Sequence, residues 1–383
     1  MRGLARYAAL LVLCPLLGSC ALPFYWQAIG GQIELMRKRT PIETLLADPQ
    51  TDPVLREKLT SVAEIRRFAV TDLKLPDNDS YTTYADLGRP YVVWNVVAAE
   101  EFSVTPQRWC FPFAGCVAYR GFFDRDGAER FQSRLARQGL DTYLGGASAY
   151  STLGYFADPV LNTMIGGSEE YIASLVFHEL AHQKLYIKDD SEFNEAFATA
   201  VEEYGTERWL EQREQSAALE RYHRRLRYRA DFADLVSDQQ ARLTVAFSGT
   251  EPPSAKRVAK EQVFEIMREE YATLKQKWGG TTDYDAWFAQ PLNNAVLASV
   301  ATYRRWLPGL RWRLRETGLE AFYVEVSSLA ELTPEQREAQ LEAWLRQASA
   351  PSALPQAGQT SLTARASQVR RQYRSERLRL DSE

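Results

Sequence analysis

Two histidines four residues apart, with a glutamate directly after the first, carry the strongest chemical signal in this chain. Residues 168–182 read Ser-Glu-Glu-Tyr-Ile-Ala-Ser-Leu-Val-Phe-His-Glu-Leu-Ala-His. Ser168 can cap a helix whose first turn holds Glu169 and Glu170, where the helix dipole favours negative charge. On that helix His178 and His182 are i and i+4. Both imidazoles therefore leave one face about a turn apart, which suits two corners of a tetrahedral metal site. Glu179 lies next round the helix, within reach of a water on the metal. This is the H-E-x-x-H pattern, in which two histidines bind zinc and the glutamate serves as general base for peptide hydrolysis. Apolar flanks (Leu175, Val176, Phe177, Leu180, Ala181) predict partial burial, and the whole chain has only 3 histidines, two of them here. The competing reading is a pair of helix histidines that merely pack or face solvent.

Zinc needs a third protein ligand. The remaining histidine, His223, sits among arginines (Arg221-Tyr222-His223-Arg224-Arg225), where neighbouring cations disfavour a metal, so it reads as a surface residue. A carboxylate is needed instead. The next helix, Ser191 to about Glu203, offers Glu192, Glu195, Glu202 and Glu203, with Gly205 placed to end it. Asn194-Glu195-Ala196-Phe197-Ala198 has the N-E-x-x-A form of the second metal-binding helix of gluzincins. Glu195 is the expected ligand, with Asn194 as a supporting neighbour. Glu202 shares the face of Glu195 seven residues on and is expected to accept an imidazole N–H. Glu192 and Glu203 read by default as solvated helix charges, and Asp189 and Asp190 as caps.

Around these two helices (168–186 and 191–204) the pattern predicts an α+β fold that is mostly α. A small sheet precedes the first metal helix, and the C-terminal part is helical. Residues 24–73 read as helical from apolar residues at three-to-four spacing. Tyr91–Ala98 is rich in β-branched residues and reads as a strand; Cys116–Phe123 is a second extended piece, followed by a helix over 126–138. Ala149–Tyr155 and Leu161–Met164 are short strands or ordered loop, and the former is expected to supply the edge strand that pairs with substrate. Thr250–Ser254 is turn-like and separates two helical hairpins. Residues 349–383 are rich in Ser, Gln, Arg and Ala and are expected to form a disordered or loosely helical tail. Neither metal helix identifies the oxyanion donor, for which Tyr150 and Tyr303 are candidates.

The N-terminus predicts processing rather than fold. Arg2 and Arg6 precede an apolar run, Ala8–Leu17, too short to span a bilayer. Leu17-Gly18-Ser19-Cys20 then reads as a bacterial lipobox, with residues 1–19 as signal peptide and Cys20 as the lipidated residue; a plain secretory signal is the alternative. Ala21 after the cysteine favours the outer membrane. Residues 20–348 would form one metallopeptidase domain. Cys110 and Cys116 flank a Pro- and Gly-containing turn, and in an oxidising envelope they are expected to form a disulfide. The formal net charge is -4, without a basic footprint, so nucleic acid is not an expected partner.

Phe193-Asn-Glu-Ala-Phe-Ala, Val201-Glu-Glu-Tyr-Gly205, Cys110-Phe-Pro-Phe-Ala-Gly-Cys116 with Tyr119-Arg120-Gly121, and Leu292-Asn-Asn-Ala295 join the H-E-x-x-H segment in a wider similarity. Over most of the mature chain the sequence resembles the bacterial zinc aminopeptidase family of periplasmic lipoproteins. The resemblance implies Zn2+ on His178, His182 and Glu195, Glu179 as base, and a peptide substrate. It supports peptidase more firmly than aminopeptidase, because no Gly-x-Met-Glu-Asn segment is present. An endopeptidase with the same site and a non-catalytic zinc-stabilised lipoprotein are the alternatives.

Overall fold

The computed structural model describes residues 22–111, 115–149, 151–300 and 305–350. The expected signal segment, Cys20, Tyr150, Tyr303 and all but the first two residues of the expected tail lie outside them. Three helices open the described chain: α1 (Leu22–Arg37), α2 (Ile42–Ala47) and α3 (Pro53–Thr71). Asp52 caps α3 by accepting from the Val54 and Leu55 N–H groups at 3.0 Å, with Pro53 pre-set for the first turn. α3 turns Leu59, Val62, Ile65 and Phe68 into the main core.

Two small sheets and a hairpin follow. β1 (Thr40–Pro41), β2 (Thr83–Ala85) and β8 (Val160–Leu161) form one sheet in the order β1-β2-β8. In the second, β3 (Val93–Ala99) lies between β6 (Arg120–Phe122) and β7 (Asp141–Ala147), antiparallel to both. β4 (Trp109–Phe111) and β5 (Gly115–Val117) pair with Cys110 opposite Cys116, and the two cysteines are disulfide-bonded. α4 (Arg125–Ala136) packs Phe131 and Leu135 against Trp94, Val96 and Ala98 on one face of β3.

The sequence does not predict β1, which interrupts the stretch 24–73 expected to be helical, nor β2, β4 or β7; the longest of these is β7, Asp-Thr-Tyr-Leu-Gly-Gly-Ala. Its glycines weaken the strand signal, but the Tyr91 ring packs over the chain so closely that a Cβ at Gly146 would stand 2.2 Å from it. The expected edge strand at 149–155 is corrected: residues 153–156 form a turn and bend, with Leu153 at φ 55°. β7, which ends at Ala147, lies at the edge of its sheet.

The remainder is helical: α5 (Glu169–Lys184), α6 (Ser191–Gln212), α7 (Ser216–Ser248), α8 (Pro253–Lys277), α9 (Asp285–Ala289), α10 (Asn294–Ala298), α11 (Leu307–Thr317), α12 (Leu319–Leu329) and α13 (Pro334–Ser349). The class is α+β, mostly helical. Thr250–Ser254 spans the connection within a single hairpin, α7 with α8, rather than separating two. Phe232, Leu235 and Val236 of α7 meet Val263, Phe264 and Met267 of α8 in a core of their own.

Three local expectations need correction. Ser168 sits at the N-cap of α5 with extended backbone, yet its side chain makes no capping bond. Gly205 does not end its helix, because α6 runs on to Gln212. A Cβ at that position would come within 2.5 Å of Leu73 Cδ1 and 3.0 Å of the Phe177 ring, so glycine serves close helix packing. Glu203 is buried and paired with Arg311 rather than solvated.

Candidate metal centre

α5 and α6 lie side by side at the centre of the main core. α5 buries Ile172, Val176, Phe177 and Leu180 on its inward faces, and α6 buries Phe193, Phe197 and Val201. Phe193 and Phe197 stack one turn apart, and Phe197 also stacks on Phe322 of α12. This packing fixes both helices and leaves His178, Glu179, His182 and Glu195 on the wall of one cavity of ≈ 710 Å³.

The connection between the helices sets their register. Asn194 donates to the Ile187 carbonyl at 2.7 Å and accepts from the Ile187 N–H at 2.8 Å. Expected as a neighbour of the ligand, it acts instead on the connecting backbone. Asp190 caps α6 by accepting from the Phe193 N–H at 3.1 Å, and its other oxygen pairs with buried Arg337 of α13 at 2.7 Å. Asp189 does not cap; at φ 66° it accepts from the Cys116 N–H at 2.9 Å, tying the β4–β5 hairpin to the edge of the site.

Three electron-rich atoms converge. His178 Nε2 lies 3.2 Å from His182 Nε2 and 3.3 Å from Glu195 Oε2, and His182 Nε2 lies 3.6 Å from Glu195 Oε1. In a tetrahedral zinc site with bonds of ~2.0–2.1 Å, ligand atoms are separated by roughly 3.3 Å. The spacing therefore fits a cation of that size. The donor chemistry fits as well. His178 Nδ1 is 3.1 Å from Glu202 Oε2, so the ionised carboxylate holds a proton on Nδ1 and turns Nε2 towards the triad, where a metal would take the place of the second ring proton. Lone pairs and a carboxylate placed this close need positive charge between them. His182 Nδ1 is buried with no hydrogen-bond partner among the described residues.

The electrostatics follow from burial against pairing. Burial alone would raise the Glu195 carboxyl, but the bonds and charges of His178 and His182 hold it far below the usual carboxylate range. Glu202 is likewise opposed by burial and held low by His178 and by Arg229, 3.4 Å away. Glu179 goes the other way. Burial pushes its carboxyl up, and the histidine charges offset this only in part. Glu192 is half-buried, and burial raises its carboxyl despite Arg305 nearby.

His223 of α7 bonds Glu207 of α6 at 3.1 Å and is not a member of the triad. Several site residues were not found from sequence. Tyr186, four residues after His182, lines the cavity, its ring centroid 6.4 Å from that of His182. Burial and the charges of Glu195 and Asp189 raise its hydroxyl, which therefore stays protonated. The i+4 spacing was a usable signal. Asp158 had none. It is buried, accepts from Thr152 N–H at 2.9 Å and Thr152 Oγ1 at 2.8 Å, and burial lifts its carboxyl to about 6. These bonds hold the turn that carries Leu153, Tyr155 and Phe156 at the cavity.

No curated protein and no solved structure matches the chain. The match that is found spans residues 23–341, which takes in both helices of the centre and the sheets before them; the chain belongs to the family described as “putative aminopeptidase”.

Proposed function

We propose that this chain is a zinc-dependent peptidase with a zincin-like fold, acting as an aminopeptidase on short peptides. In this reading it works on the periplasmic side of a bacterial envelope, anchored in the outer membrane through acylated Cys20. The observation that carries the chemistry is the convergence of His178, His182 and Glu195 to 3.2–3.6 Å beside Glu179.

His178, His182 and Glu195 would hold the cation. When bound, zinc supplies Lewis acidity, polarising a peptide carbonyl and making water a better acid. Glu202 keeps His178 in the tautomer that offers Nε2. Burial raises the Glu179 carboxyl, which makes its carboxylate a stronger base, so it can take a proton from the attacking water and return it to the leaving amine. The Tyr186 hydroxyl keeps its proton and is the assigned donor to the developing oxyanion.

One observation favours an endopeptidase as the second reading. Among the described residues lining the cavity, Glu179 and Glu195 are the only acidic side chains, and both have roles already. A free α-ammonium therefore has no carboxylate of its own. The deciding experiment incubates wild type and Glu179→Gln with free and N-acetylated peptides and maps products by mass spectrometry. Single residues released only from free N-termini, with the variant inactive, support the aminopeptidase. Internal cuts that ignore acetylation support the endopeptidase. Zinc-loaded wild type as silent as the variant would sink the catalytic reading and leave a zinc-stabilised lipoprotein.

A further inference from the structure

Helix α1 has two faces with different tasks. Its inner face puts Leu35 in the core and Ala28 and Gln32 on the wall of the catalytic cavity. Gln27 fixes it to the sheet, accepting from the Phe123 N–H at 2.9 Å. The outer face carries Trp26, Ile29 and Ile33, which are 70%, 51% and 45% exposed. With exposed Gly30 and Arg37 they fall at i, i+3, i+4, i+7 and i+11, one stripe along the helix. Nothing among the described residues packs over it. Lys38, also exposed, joins Arg37 at the far end.

Chain length ties this stripe to a lipid surface. The lipobox cysteine, Cys20, stands two residues before the first residue of α1. Two extended residues reach about 7 Å, and the four further residues to Trp26 add roughly 6 Å of helix. An acyl chain on Cys20 therefore holds Trp26 within about 13 Å of its point of attachment, whatever the body of the protein does. An exposed tryptophan, two isoleucines and a basic end compose the face of a helix lying in a membrane interface.

We propose that the outer stripe of α1 lies on the phospholipid surface, with Trp26, Ile29 and Ile33 at headgroup depth. This rests on lipidation of Cys20 and not on the peptidase chemistry. Because the other face of α1 lines the cavity, the catalytic wall stands about one helix diameter, roughly 10–12 Å, from the bilayer. Peptide segments close to the membrane surface are then the substrates best placed to enter.

The test uses the full chain, processed in a bacterial host and reconstituted in phosphatidylethanolamine–phosphatidylglycerol vesicles. Nitroxide labels are placed on Ile29→Cys, Ile33→Cys and, as control, Val258→Cys, which is exposed on α8. Collision with oxygen and with an aqueous nickel chelate is read by electron paramagnetic resonance. The expected result is loss of chelate collision and gain of oxygen collision at 29 and 33, with the reverse at 258. Equal chelate access at all three sites, with the protein still on the vesicles, overturns the proposal while leaving the anchor intact. Protein that stays in solution overturns it together with lipidation. Dipolar broadening between labels on two copies overturns it in favour of a self-contact. None of these readings depends on catalysis.

Discussion

Replacing Gly205 by alanine separates helix propensity from packing between α5 and α6. In the middle of a helix, alanine is better than glycine by about 0.8–1 kcal/mol, so propensity alone predicts stabilisation. The packing predicts the opposite. The new methyl would meet Leu73 Cδ1 at 2.5 Å and the Phe177 ring at 3.0 Å, and both side chains are fully buried. Overpacking of this kind costs about 1–3 kcal/mol. The net is a loss of about 1 kcal/mol, or roughly 2 °C in Tm for a domain of this size. The assay is urea unfolding and calorimetry in chelator, so that no metal contributes. A second background, Leu73→Ala, removes the obstructing methyls. There only the Phe177 ring at 3.0 Å still opposes the new methyl, so the Gly205→Ala change should cost less than on the wild-type background, although Leu73→Ala itself costs about 2–5 kcal/mol. The cycle then gives a coupling of about 1–3 kcal/mol between the two positions. A rise in Tm on the wild-type background, or the same effect in both backgrounds, would refute the close-packing argument and restore Gly205 as an ordinary helix glycine.

Further predictions follow from the site. Glu179→Gln should lower kcat/KM by about 10²–10⁴-fold while metal content by mass spectrometry stays unchanged. Loss of metal instead would show that Glu179 holds the site together. Glu202→Gln should weaken zinc binding about 10–100-fold in a competitive chelator titration, because the charge that fixes the His178 tautomer is gone. Zinc at about a thousandfold over its Kd should stabilise the native state by about 4 kcal/mol, and His182→Ala should abolish that shift in calorimetry. Asp158 should titrate near 6 by carboxyl NMR. Since its folded value is raised, the contribution it makes to stability is full below the unfolded value of about 4 and is lost as pH rises through 6. This amounts to about 3 kcal/mol, and Asp158→Asn should flatten that part of the stability–pH curve.

Local spacing determined much of this protein. The i and i+4 histidines share one helix face, and the glutamates at 195 and 202 share a face of the next helix, by the 3.6-residue period alone, so each pair was legible before any fold was known. The strand at β3 was legible for the same reason, from β-branched residues in a run. What needed the tertiary structure were features set by contacts outside the repeat of any single helix or strand. β7 is a strand because Tyr91 and β3 accept a Gly-Gly pair that by itself signals a turn. Gly205 continues a helix because Leu73 and Phe177 occupy the space a side chain would fill. Glu203 is buried because Arg311 arrives from 108 residues away. Asn194 serves the backbone of Ile187, and Asp158 becomes a buried carboxyl only when Thr152 and Gln183 surround it. Helical periodicity is written into neighbouring residues; burial, close approach and charge pairing arise only when separate segments meet.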